Sequence, residues 1–152
     1  MQNSHKIISC LREWMTCDAV NHIFAALDNQ ARFVGGAVRD AIIGVDAKDI
    51  DIATIFTPEE VISKLSSSGI KVVPTGIKHG TVTAVISDRN YEITTLRRDV
   101  ESFGRHAKVA FTDDWQEDAA RRDFTINAMY CSQNGEIFDY FGGLDDLAAK
   151  RI

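Results

Sequence analysis

Apolar and polar positions follow two periods along this chain. Over residues 5 to 30 the apolar residues Ile7, Ile8, Leu11, Trp14 and Met15 recur at helical spacing, which predicts a helix. Asp18 reads as the cap of a second helical piece that carries Val20, Ile23, Phe24 and Leu27. Arg32-Phe33-Val34 is a short strand, Gly35 and Gly36 form a sharp turn, residues 37 to 43 form a helix, and Gly44 stops it. The period then becomes two: Asp49 and Asp51 alternate with Ile50 and Ile52, so the two carboxylates share one face of a strand. Thr57-Pro58-Glu59-Glu60 is a helix start, with Thr as cap, Pro in the first turn and acids at the positive end. Residues 70 to 74 form a strand in which Pro74 marks an end or an edge. Residues 81 to 87 and 91 to 96 are two strands around a turn at Asp88-Arg89-Asn90, an antiparallel hairpin. Residues 116 to 122 are helical, 137 to 141 form a strand, and Leu144 opens a last helix. This order predicts the α/β (α+β) class: a mixed, mainly antiparallel five-stranded sheet with helices on one face.

Length and composition narrow the picture. A chain of 152 residues with 45% apolar and 26% charged residues is one globular domain with a single core, with residues 1–30 a helical segment ahead of a 31–152 catalytic core. The net charge of −5 argues against a surface that grips nucleic acid throughout, but it permits a local basic strip, and the arginines are clustered. Cys10, Cys17 and Cys131 form no CxxC and no even framework, which reads as reduced thiols in a cytoplasmic protein. Nothing in the sequence approaches the apolar run that spans a membrane. His5 and His22 have no partner at metal spacing and read as surface residues.

The candidate chemistry lies in residues 33 to 52. A Gly-Gly turn brings backbone N–H groups close to a ligand, and the helix that follows points its N-terminus at the same place, which favours phosphate. Alone, such a turn is commonly a tight packing turn, and an Asp-x-Asp pair is commonly a solvated strand edge. Together, with twelve residues between Gly36 and Asp49, they read as a metal–triphosphate site. Two carboxylates held so close are tolerated mainly with a cation between them. Glu92 would complete a three-carboxylate cluster if its strand lies beside Asp51; otherwise it is an exposed strand residue making a cross-strand pair. The charged stretch 97–114, with Arg97, Arg98, Arg105, His106 and Lys108, is either a solvated loop or a flap over the ligand. Arg121 and Arg122 match phosphate oxygens, or are surface charge, and Asp123 beside them could orient an arginine or accept a ribose hydroxyl.

The segments VGGAVRDAIIG…KDIDIA, IKHGTVTAVI, YEITTLRRD, RRDFTINAM and DYFGGLDDL resemble, in order, the blocks of the class II CCA-adding enzyme (tRNA nucleotidyltransferase) and bacterial poly(A) polymerase family. The resemblance covers residues 32 to 152, about four-fifths of the chain. It implies a polymerase-β-like nucleotidyltransferase head that adds nucleotides from ATP and CTP to an RNA 3′ end, that of tRNA above all, without a nucleic-acid template. It implies that Asp49 and Asp51 are the carboxylates for two Mg2+ ions, with Glu92 as the third acid. It also implies that Gly35, Gly36, Arg39 and Arg122 bind the nucleotide and that Asp123 helps recognise the ribose. In that family the base is read by an Asp/Glu–Arg motif further on, followed by RNA-holding helical domains. Neither is found in residues 1–152, which read as the catalytic head of a longer protein. The resemblance leaves CCA addition and poly(A) addition both open. A metal-dependent phosphohydrolase and a nucleotide-binding module are the competing classes.

Overall fold

The computed structural model describes residues 4–7, 13–47, 49–100 and 108–149, and only the backbone of 4–7 and 108. The chain runs β1 (Ser4–Ile7), a 3-10 turn (Glu13–Met15), α1 (Asp18–Ala26), β2 (Ala31–Val34), α2 (Gly36–Ile43), β3 (Ile50–Thr54) and α3 (Pro58–Ser67). It continues with β4 (Lys71–Gly76), a 3-10 turn (Ile77–His79), β5 (Thr81–Ile86), β6 (Arg89–Thr95), β7 (Arg97–Val100) and β8 (Lys108–Phe111). The last elements are α4 (Trp115–Ala120), a 3-10 turn (Thr125–Asn127), β9 (Met129–Cys131), β10 (Glu136–Asp139) and α5 (Gly143–Ala148).

The main sheet has the order β1-β10-β9-β2-β3-β6-β5-β4. It is mixed and mainly antiparallel, as expected; β3 beside β6 is the parallel pair. Among the described residues it has eight strands rather than the five read from the sequence: the strand read over 137–141 joins it as β10, and β1 and β9 also lie past β2. Alternation along the strands sorts the core into two layers. Phe33, Ile50, Ile52, Val82, Tyr91 and Ile93 face a large core with residues of α1, α2 and α3. Trp14 meets Phe33 edge-on, with ring centroids 5.0 Å apart. Burying such a side chain contributes about 1.5–3 kcal/mol. The intervening residues Val34 and Ala53 face the other side, where they join Leu96, Ala119, Tyr130 and Tyr140 in a second core. Ala119 lies on α4, so that helix covers part of the face expected to be bare.

Several local readings hold. Thr57 and Glu60 form a reciprocal capping box at α3, with Pro58 in the first turn. Gly44 ends α2 in the left-handed conformation, φ 81°. Pro74 lies on β4, an edge strand whose register shifts between Val73 and Gly76.

Others are corrected. The chain around Ile7 is not helical: β1 pairs antiparallel with β10, and a partner more than a hundred residues away overrides the helical spacing. Ile8 and Leu11 lie outside the described residues. Cys17, not Asp18, is the N-cap of α1, and Asp18 is its first residue. The β5–β6 turn is tighter than expected: Ser87 and Asp88, both at positive φ, make it, and Arg89 and Asn90 already belong to β6. Within the charged stretch 97–114, β7 and β8 pair as a separate two-stranded sheet. Arg105 and His106 lie outside the described residues.

Candidate active site

β3 and β6 run parallel with Asp51 opposite Glu92, so the two carboxylates project from adjacent strands on one face. Asp49 stands at the entry to β3. The three acids, with Ile50 and Asn90, line a cavity of about 320 Å³. Burial raises the Asp51 carboxyl above the ordinary carboxylate range; the charges of Glu92 and Asp49 push the same way, and Arg122 opposes them. Glu92 is exposed and pairs across the sheet with Thr83 as well as standing opposite Asp51, and it lines the same cavity as the two aspartates.

Among the described residues no three acid, thiol or imidazole side chains enclose a metal ion by themselves. The donors present are carboxylate oxygens in a partly open cavity, where burial first and the neighbouring acids second raise Asp51. That donor set fits Mg2+, which takes one or two protein carboxylates and completes its shell with water and phosphate oxygens.

The glycine turn follows the neighbouring strand, β2. Val34, the last residue of β2, pairs with Asp51, so Gly35 follows level with the acids. Gly35 adopts φ 75°, ψ −137°, a conformation that only glycine takes readily. Its N–H donates to the Met129 carbonyl oxygen at 3.4 Å, while its own carbonyl accepts from Val38 and Arg39 as α2 begins. Among the described residues, the N–H groups at this turn left for a ligand are those of Gly36 and Ala37. A Cβ on Gly36 would lie 3.3 Å from Nη2 of Arg39, so the arginine folds back against the start of its own helix. Arg39 Nη1 donates to Asn127 Oδ1, and its Nε and Nη2 donate to Asp40, each at 3.2 Å.

Arg122 is close enough for its charge to act on Asp51. Its Nε and Nη2 donate to Oδ2 of Asp118, at 3.3 and 3.0 Å. Burial alone would lower the guanidinium, but Asp118 and the Tyr130 phenol hold it above its ordinary value. Asp123 is exposed and, with Arg122, Thr125, Ala128 and Phe141, lines a second cavity of about 200 Å³. Arg122 therefore borders both the acid cavity's field and the Asp123 cavity. His22 is exposed, with its ring nitrogen 2.9 Å from the Ser68 carbonyl oxygen, as a surface residue should be.

Sequence reading missed Asn127 and Asp118. Asn127 lies on a 3-10 turn held by α5: Gly143 packs so tightly that a Cβ there would overlap the Thr125 carbonyl oxygen, and Thr125 donates to Asp146. Asp139 caps that helix, accepting from the N–H groups of Gly143 and Leu144 at 2.8 and 2.9 Å. The FGGLDD segment thus shapes the site from behind. Asp118 is 1% exposed, and no local pattern marks one acid of a charged helix as buried.

Residues 31–152 match the family model described as the poly A polymerase head domain. The human mitochondrial CCA tRNA nucleotidyltransferase 1 is 47% identical over 135 residues, 88% of this chain and 31% of that protein. The structure superposes with TM-score 0.71 on the Bacillus stearothermophilus CCA-adding enzyme in complex with CTP, at 39% identity over 83% of this chain and 30% of that one. It superposes with TM-score 0.70 on the Thermotoga maritima CCA-adding enzyme complexed with tRNA, at 27% identity over 97% of this chain and 35% of that one. The chain spans about a third of the length of these relatives. The fold is the polymerase-β-like nucleotidyltransferase fold of these neighbours.

Proposed function

The chain belongs to the poly A polymerase head-domain family, and on that premise we propose that it is the catalytic head domain of a template-independent RNA nucleotidyltransferase. The reaction is transfer of nucleotides from CTP and ATP to the 3′ end of tRNA, completing all or part of CCA. The observation that carries this reading is Asp51 facing Glu92 across β3 and β6, with Asp49 in the same cavity and the Gly35–Gly36 turn on the adjoining strand. The relatives in complex with CTP and with tRNA support the substrate pair. A cytoplasmic location, read from cysteines that form no CxxC and no even framework, belongs to the same proposal. Among the described residues no helix is long and apolar enough to cross a membrane.

Asp49 and Asp51 would hold two Mg2+ ions, which supply charge neutralisation at the α-phosphate and lower the pKa of the attacking hydroxyl. The free N–H groups of Gly36 and Ala37, at the positive end of α2, would take triphosphate oxygens. Arg39, held by Asn127, and Arg122, held by Asp118, would add charge-assisted contacts to the same phosphates. Asp123, exposed beside Arg122, would accept a ribose hydroxyl. Glu92 would orient the RNA 3′-hydroxyl toward the α-phosphate. Pyrophosphate leaves as the new phosphodiester forms. These residues act by positioning and by fixed charge rather than by covalent chemistry.

The test is incubation of the intact protein with labelled CTP or ATP, Mg2+ and a tRNA lacking its terminal nucleotides. Extension with pyrophosphate release supports the reading. Nucleotide hydrolysis without extension would make it a phosphohydrolase, and binding alone a nucleotide-binding module. Extension of unrelated RNA ends by many adenylates would favour the poly(A) polymerase alternative.

A further inference from the structure

Asp118 is a buried carboxylate at the meeting point of three elements. It lies on α4, and its Oδ1 accepts the backbone N–H of Arg97, the first residue of β7, at 2.9 Å. Its Oδ2 accepts two N–H groups of Arg122 and the hydroxyl of Tyr130 on β9. Only 2% of its side chain is exposed. A carboxylate buried this deeply needs several donors to offset its lost hydration, and here it has four.

What it does to Arg122 is geometric. A guanidinium has five N–H donors in a planar fork. Asp118 takes the side formed by Nε and one N–H of Nη2. Asp118 does not engage Nη1, so it leaves that end of the fork for a ligand. The Tyr130 ring lies under the same guanidinium, 5.8 Å from Cζ to the ring centroid, and limits its swing. An arginine that hung free would lose up to about 2 kcal/mol of rotamer freedom when it met phosphate. One already held in place loses less, which raises affinity.

Taking Arg122 as a triphosphate contact, we infer that Asp118 is a positioning residue: it presets the guanidinium of Arg122 for the nucleotide and ties that guanidinium to β7. Because one carboxylate accepts from both Arg122 and the Arg97 backbone, the start of β7 and the phosphate-binding arginine share a single anchor. Asn at this position keeps the shape but replaces one acceptor oxygen by a donor, so one of the two sets of contacts is lost.

The experiment is a double-mutant cycle in the intact protein: wild type, Asp118→Asn, Arg122→Ala and both together. ATP affinity in the presence of Mg2+, nucleotide KM, tRNA KM and melting temperature are measured for each. Asp118→Asn is expected to weaken ATP binding about tenfold, the scale of one charge-assisted hydrogen bond, and to raise nucleotide KM while tRNA KM stays unchanged. In the Arg122→Ala background it is expected to weaken ATP binding no further. A residue that only staples the fold would lower the melting temperature in both backgrounds and affect affinity equally in both; that result, or unchanged affinity in the single variant, overturns the inference. If Asp118→Asn does not fold, Tyr130→Phe, which removes one donor to the same oxygen, is expected to weaken ATP binding roughly threefold and only when Arg122 is present; no such loss would overturn it. Unchanged affinity in Arg122→Ala would overturn the role of Arg122 itself, and this inference with it. A loss in Arg122→Ala that adds independently to that of Asp118→Asn overturns this inference alone.

Discussion

Asp51 and Glu92 stand opposite one another on two parallel strands that are neighbours in the sheet but about forty positions apart in the chain. Their side chains enter one cavity with Asp49, and burial, with the charges of Glu92 and Asp49 added, raises the Asp51 carboxyl. A raised carboxylate pKa means that the fold disfavours the ionised form. The resulting destabilisation is fully present above the raised pKa and fades as pH falls through it.

Asp51→Asn should therefore raise the melting temperature in EDTA at neutral pH, by about 2–4 °C for each 1 kcal/mol of desolvation and repulsion relieved. The gain should shrink as pH is lowered toward the ordinary carboxylate range. Added Mg2+ should stabilise the wild type and leave the variant unchanged. Asp49→Ala and Asp51→Ala should each abolish nucleotide transfer without loss of fold. Melts with and without Mg2+, set beside primer extension, check all of this; wild-type activity in either alanine variant would remove these acids from the metal site.

The two glycines of the turn should fail differently. Gly35→Ala places a side chain at positive φ and should destabilise the fold by about 1–2 kcal/mol. Gly36→Ala sits in helix, where Ala is favoured by roughly 0.5–1 kcal/mol, but its Cβ crowds Arg39. It should keep or gain stability while losing nucleotide affinity. Denaturant titration and nucleotide binding on both variants separate the two effects.

Behind the site, Gly143→Ala should destabilise by about 2–3 kcal/mol, the scale of overpacking, since its Cβ overlaps the Thr125 carbonyl. Asp139→Ala should cost about 1–3 kcal/mol by leaving the first N–H groups of α5 without an acceptor. Both should raise nucleotide KM through the turn that holds Asn127 against Arg39. A variant that loses stability with unchanged KM would separate α5 from the site.

Triphosphate and ribose contacts are the same for every ribonucleotide. Residues 1–152 alone should therefore bind ATP and CTP with less than a tenfold difference, about 1.4 kcal/mol. Selection of the base needs hydrogen bonds to its Watson–Crick edge. Calorimetric titration of this segment with each nucleotide measures the ratio; a larger preference would place base reading within these residues.

What the sequence determined by itself was local. The Thr57 cap with acids in the first turn of α3 and the glycine stop at Gly44 each depend on neighbours within a few residues and appear as read; the alternation holds over Ile50, Asp51 and Ile52, while Asp49 stands just ahead of β3. The acid and glycine motifs were legible for the same reason: spacing along one strand or one turn sets which side chains share a face. Tertiary structure decided what depends on distant pairing. Ile7 became part of a strand because β10 was there to pair with it, and the charged stretch after Arg97 became a hairpin because β8 returned against β7. Glu92 became a partner of Asp51 only when β6 took its place beside β3. Asp118 is the sharpest case. As a residue of a charged helix it reads as exposed; it is buried because β7, β9 and Arg122 bring four donors to its two oxygens, and none of those donors except Arg122 is local in the chain. Hydrogen bonds to a buried charge are assembled by the fold, so the residues that aim a site stay hidden until the strands around them are in register.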